Sequence, residues 1–135
     1  MEKIKWEQRY SSGLIYLDNH RRNFIGIIQE LQTTIEEGSC EQMLPMIFHR
    51  MAFYIEDYFL KKEMALQDAD YLPLSKYKVE HDRFTTQMVV YQERFLGGEE
   101  GLCREMVDFL INWFENYITL FDQEGVAFLR SKGYE

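Results

Sequence analysis

Four ionisable or phenolic groups fall on stripes that helical periodicity would otherwise fill with apolar side chains: His20, Tyr58 with Lys62, Tyr77 with His81, and Tyr117 with Asp122. One such group near the middle of each of four helical segments is the spacing of a metal centre inside a bundle, where ligands from facing helices converge. The residue types depart from the usual set of imidazole nitrogens and carboxylates. A tyrosine phenol, with a reference pKa of about 10, ligates well only as phenolate, which calls for a strong Lewis acid such as ferric iron. A lysine at the end of an apolar and aromatic stripe, as Lys62 is, seldom lies there unpaired, and its positive charge would oppose a metal. Two chemistries therefore compete, a tyrosine-rich ferric site and a metal-free polar core.

Four amphipathic segments must position these groups. In the first, Leu17, His20, Phe24, Ile27, Leu31 and Ile35 step by three and four along one face. Gly38 stops it, and Ser39 with Gln42 resembles a capping box for the second. Pro45 lacks an N–H, so the regular part of the second helix is expected to begin near it. The inward face there reads Leu44, Ile47, Met51, Tyr54, Tyr58 and Lys62. The stretch from Gln67 to Pro73 breaks the pattern, and Ser75 is a candidate cap for a third helix whose face carries Tyr77, His81, Phe84, Met88, Tyr91 and Phe95. Gly97 to Gly101 form a turn, after which Met106, Phe109, Trp113, Tyr117 and Leu120 make the fourth face.

Asp122 lies five residues beyond Tyr117, about 140° around a straight helix. Either the helix distorts there or Asp122 reaches across from a flank. Four helices of about 20 residues joined by short turns make an all-α, antiparallel up-down four-helix bundle with an N-terminal arm, a single domain over residues 1–135.

Composition agrees with one packed domain. The 135 residues are 46% hydrophobic and 16% aromatic, enough for one core and too few for two. A net charge of −8 repels phosphate backbones and anionic lipid, which disfavours nucleic acid and membrane as partners. Cys40 and Cys103 have no CxxC or zinc-finger spacing and are expected to be free thiols. No cationic-then-apolar leader and no apolar run near the ~20 residues of a membrane span appear, so the expected compartment is the cytoplasm. His49 matches no ligand position and is expected to be a surface or packing residue. No nucleophile elbow, Gly-rich phosphate loop or Cys–His arrangement favours an enzyme.

Trp6 in the N-terminal arm, Leu17-Asp18-Asn19-His20, Tyr54 to Met64, Tyr77-Lys78-Val79-Glu80-His81-Asp82-Arg83-Phe84, and Trp113 to Ile118 followed by Asp122 resemble the hemerythrin family over nearly the whole chain. That family carries a first-helix His, then H-F-x-x-E-E, H-x-x-x-H-x-x-F and W-x-x-x-H-I-x-x-x-D, and holds two irons that bind or sense oxygen. By that resemblance His20, His81 and Asp122 match ligand positions in type. Tyr58, Tyr77 and Tyr117 stand where histidines belong, Lys62 replaces the bridging glutamate, and Glu63 retains the second glutamate. The resemblance implies a hemerythrin-like protein whose altered, tyrosine-rich non-heme site holds one or two irons, ferric for preference. Such a site would serve iron or redox chemistry or oxygen-linked sensing, with oxygen or a small redox ligand as partner, more than reversible oxygen carriage. The alternative it leaves is a metal-free bundle, a binding or signalling module acting through a protein partner, whose centre is filled by a network of Lys62, Asp122, the tyrosines and the histidines.

Overall fold

The computed structural model describes residues 1–135 and contains no strand. Helices α1 (Ile15–Glu36), α2 (Cys40–Asp68), α3 (Leu74–Leu96) and α4 (Leu102–Asn116) form an antiparallel bundle, with α1 packed on α2 and α4, and α3 on α2 and α4. A π-helical turn, Tyr117–Phe121, joins α4 to a short α5 (Gln123–Ser131) that packs back on α2. No helix is long and apolar enough to cross a membrane.

The stripes read from the sequence form the core. Phe24, Leu31, Leu44, Ile47, Met51, Tyr77, Phe84, Met106 and Phe114 are all buried in one cluster, and burial of such faces supplies most of the stability of helices this long. Turns close the bundle as the sequence implies. Gly38, at φ +71°, ends α1, and Ser39 N–H donates to the Thr34 carbonyl over the left-handed residue. Asp70, at φ +60°, does the same for α2 with Tyr71 N–H bonded to the Leu66 carbonyl.

The starts of two helices differ in detail from expectation. The second helix runs unbroken from Cys40 through Pro45, which lies on its exposed side, where the carbonyl deprived of a partner meets water. Ser39 occupies the cap position of α2 without a side-chain hydrogen bond. Ser75 lies inside α3, which is preceded by Pro73.

The expectation of free thiols is overturned: Cys40 and Cys103 form a disulfide that ties the first turn of α2 to the first turn of α4. Local spacing carries no information about cysteines 63 residues apart, which only the antiparallel topology brings together. Disulfides of this kind persist chiefly in oxidising compartments, so the pairing lends no support to the expected cytoplasmic location.

The arm before α1 is fastened rather than loose. Gln29 and Gln32 of α1 bond the backbone of Glu2 and Ile4, and Arg22 lies 4.2 Å from the centre of the Trp6 ring. Asp18 turns back to accept Ser12 N–H and the hydroxyls of Ser11 and Ser12, each at 2.7 Å. Those bonds favour the carboxylate and hold its pKa below the usual value against the opposing effect of burial. The loop so fixed delivers Tyr10 and its carbonyl to the bundle interior.

Candidate functional site

Asp122 is the hub of the polar core, and the π turn is what puts it there. Its N–H bonds the Tyr117 carbonyl five residues back at 2.7 Å, so one extra residue is accommodated in that turn. The wider turn brings Asp122 round to the side of Tyr117 and rotates Leu120 out of the core, leaving it 71% exposed against the inward position its spacing implied.

At 0% exposure, Asp122 engages both carboxylate oxygens. Lys62 Nζ donates to Oδ2 at 2.6 Å, Arg21 Nη2 donates to the same oxygen at 2.9 Å, and Tyr77 hydroxyl donates to Oδ1 at 2.6 Å. Arg21 spends a second donor, Nη1, on the Tyr10 carbonyl at 2.7 Å. Two buried cations, Arg21 at 3% and Lys62 at 4% exposure, therefore share one carboxylate. Burial pushes the Lys62 ammonium below its ordinary pKa, and Asp122 holds it back up. Burial and then Asp122 push the Tyr77 phenol upward, so it remains a donor.

A second chain of bonds lies beside the first. His81, on α3, has Nδ1 2.8 Å from Glu63 Oε2 of α2 and Nε2 2.8 Å from the Tyr117 hydroxyl. Nδ1–H donates to the Glu63 carboxylate, and in the neutral imidazole that burial favours the Nε2 lone pair accepts from the Tyr117 hydroxyl. Burial lowers the His81 pKa and Glu63 opposes it. The imidazole lies flat on Phe59 at a centroid distance of 3.9 Å, which locks its plane.

The structure thus joins Lys62, Tyr77 and Asp122 in one group and Glu63, His81 and Tyr117 in another. His20 belongs to neither. Its ring packs against Tyr16 and Tyr58, at 4.6 and 5.1 Å between centroids, and its carbonyl accepts the Tyr54 hydroxyl. Burial lowers its pKa, and Lys61 and Lys62 add to that effect while Asp57 opposes it. The buried Tyr58 hydroxyl has no hydrogen-bond partner, although Arg21 and Tyr117 lie close enough to influence its ionisation. His49 is exposed, a surface residue.

Arg21 is the member of the Asp122 network that spacing did not single out. Arg21, Phe24, Ile28 and Leu31 are all buried on one stripe of α1, a pattern that would have flagged it had the stripe not been centred on His20.

These donors do not fit a pair of irons. An ammonium and a guanidinium crowd the oxygen that would bridge them, Tyr77 takes the other oxygen, and both nitrogens of His81 are engaged. No three His, Cys, Asp or Glu side chains are gathered as a metal-binding group.

Gly125 of α5 makes room for this arrangement. A methyl group there would sit 2.1 Å from the Tyr77 oxygen, which its bond to Asp122 holds in place. Gly125→Ala is expected to destabilise by about 1–3 kcal/mol through overpacking. A thermal melt unchanged from the parent would show that Tyr77 can move aside. On the other side of the network a cavity of about 260 Å³ opens among residues that include Leu14, Leu17, His20, Tyr58, Lys62 and Leu129.

No protein-family profile matches the chain. It is similar to the bacteriohemerythrin of Pseudomonas aeruginosa, 23% identical over 118 residues that cover 87% of this chain and 76% of that one. It is also similar to the bacteriohemerythrin of Clostridium acetobutylicum, 23% identical over 88% of this chain and 95% of the relative. The bacteriohemerythrin of Ralstonia nicotianae is 22% identical over 98% and 93%.

Proposed function

Since this chain is a distant member of the hemerythrin family, we propose that it keeps the bundle while working as a metal-free binding or signalling module. The observation that carries this reading is the placement of Lys62 and Arg21 on one oxygen of Asp122, at 2.6 and 2.9 Å. A cation must be displaced before another cation can use that carboxylate. Tyr77 and His81 support the reading, because each already spends its polar atoms on neighbouring side chains. As a module, the protein offers the 260 Å³ cavity to a small, largely apolar ligand, and offers exposed Ile15, Tyr16, Leu60 and Met64 to a protein partner.

Iron loading tests this directly. Protein incubated with ferrous iron in air and then desalted is expected to retain no stoichiometric iron and to show no visible absorption. Near-stoichiometric iron with a broad phenolate-to-ferric band would replace this proposal with the tyrosine-rich iron site. Restoring family residues through Tyr58→His, Lys62→Glu, Tyr77→His and Tyr117→His is expected to leave iron binding weak while Arg21 remains on Asp122. Adding Arg21→Leu to the four is expected to improve uptake, and equal uptake with and without it would remove Arg21 from the argument.

A further inference from the structure

Nine tyrosines are present, and Tyr117 alone has its hydroxyl hydrogen-bonded to an imidazole. We propose that Tyr117 is a redox-active tyrosine that yields one electron to a small inorganic or radical oxidant while passing its phenolic proton to His81 Nε2. The proposal rests on the metal-free reading of the same core, because a metal taking the Tyr117 oxygen or the His81 nitrogen would break the bond it needs.

A phenol that loses an electron becomes a strong acid, so oxidation in a dry interior requires a base already in contact. His81 Nε2 stands 2.8 Å away, and Glu63 behind it is at 2.8 Å from Nδ1, placed to stabilise the imidazolium that forms. The other tyrosines lack this combination. Tyr77 faces a carboxylate whose other oxygen is shared by Lys62 and Arg21, and no imidazole touches its hydroxyl. Tyr10 faces Glu115, which is held by Arg9. Tyr54 faces only a backbone carbonyl, and Tyr58 has no partner.

The electron also has a route. The Trp113 ring stacks on Tyr117 with centroids 4.6 Å apart and planes 20° from parallel, and both residues border an open groove of about 670 Å³. Arg83 and Glu80 line the same groove as an ion pair at 3.5 Å, and Glu80 also accepts the Trp113 N–H at 2.9 Å, so the groove favours neither sign of oxidant. Phe59 and Phe121 pack around the phenol ring, and burial of Tyr117 shields the resulting radical from solutes. In the step itself one electron leaves the phenol and reduces the oxidant by one unit. The O–H bond breaks, an N–H bond forms at Nε2, and a neutral phenoxyl faces an imidazolium. Return of one electron sends the proton back.

The test uses the full chain after treatment with a chelator, with iron measured on the same sample, oxidised by hexachloroiridate(IV) and frozen for electron paramagnetic resonance. A neutral tyrosyl radical is expected, lost in Tyr117→Phe and kept in Tyr91→Phe, with folding of each verified by circular dichroism. His81→Gln retains a polar partner but not a base, and is expected to raise the potential of the Tyr117 couple and shorten the radical's life. An undiminished signal in Tyr117→Phe, or an unchanged potential in His81→Gln, overturns the inference. Stoichiometric iron after loading overturns the metal-free reading instead, so the two fail by different measurements.

Discussion

Asp122→Ala is expected to lose about 3–5 kcal/mol of folding stability, because it strands two buried cations at once. Against a total of roughly 5–15 kcal/mol for a domain, that leaves a protein close to its unfolding threshold. The basis is the shared oxygen: Lys62 and Arg21 both donate to Oδ2, and neither has another carboxylate in hydrogen-bond contact. Lys62→Met should behave in the opposite way. It removes one of two cations on a single carboxylate, Arg21 and Tyr77 still satisfy Asp122, and a thioether fills most of the vacated volume. A cost below about 1 kcal/mol is expected, with a gain in stability equally consistent with relief of a charge imbalance. Urea denaturation of the two variants and their combination measures the coupling. Asp122→Ala melting like the parent would remove the pair as a structural element, and with it the main support for a metal-free core.

The Lys62–Asp122 pair was legible in the sequence because a lysine on an apolar stripe needs a partner and the family resemblance sets Lys62 and Asp122 at the two bridging positions of one site. Its geometry was legible only as two alternatives, a distorted helix or a reach from a flank, and the π turn is the first of these. A helical wheel separates Tyr117 from Asp122 by assuming a straight helix, and the segment Tyr117-Ile118-Thr119-Leu120-Phe121 contains no Pro or Gly to announce the extra residue in the turn. The same distortion moved Leu120 outward. On α1, the family resemblance drew attention to His20, one residue from the side chain that enters the network. Adjacent residues on a helix are about 100° apart, so only one of His20 and Arg21 can point at Asp122, and the longer, branched donor does so. Lys62 and Tyr77 were found because their own stripes reported burial. Gly125 and the disulfide escaped for a shared reason, since each depends on which surfaces from distant parts of the chain meet, and no local pattern encodes that.

Reducing the Cys40–Cys103 disulfide is expected to cost about 4 kcal/mol, the loop-closure entropy for a cross-link between residues 63 apart. The bond closes α2, α3 and their turns into one loop, so the oxidised unfolded chain has far fewer conformations to gain than the reduced one. Cys40→Ser with Cys103→Ser should reproduce the effect of a reductant, which separates chain entropy from any effect of the reductant itself. The bond sits at the start of α2, and Lys62 lies 22 residues further along that helix, about 33 Å at 1.5 Å per residue. At that separation the losses from reduction and from Asp122→Ala should add to within about 0.5 kcal/mol. Their sum, about 7–9 kcal/mol, reaches the stability of an ordinary domain. Asp122→Ala should therefore remain folded when oxidised and lose its cooperative melt when reduced, and circular dichroism under the two conditions decides it. A cooperative transition surviving reduction in Asp122→Ala would mean that one of the two contributions is far smaller than its burial or loop length implies, and the single variants identify which.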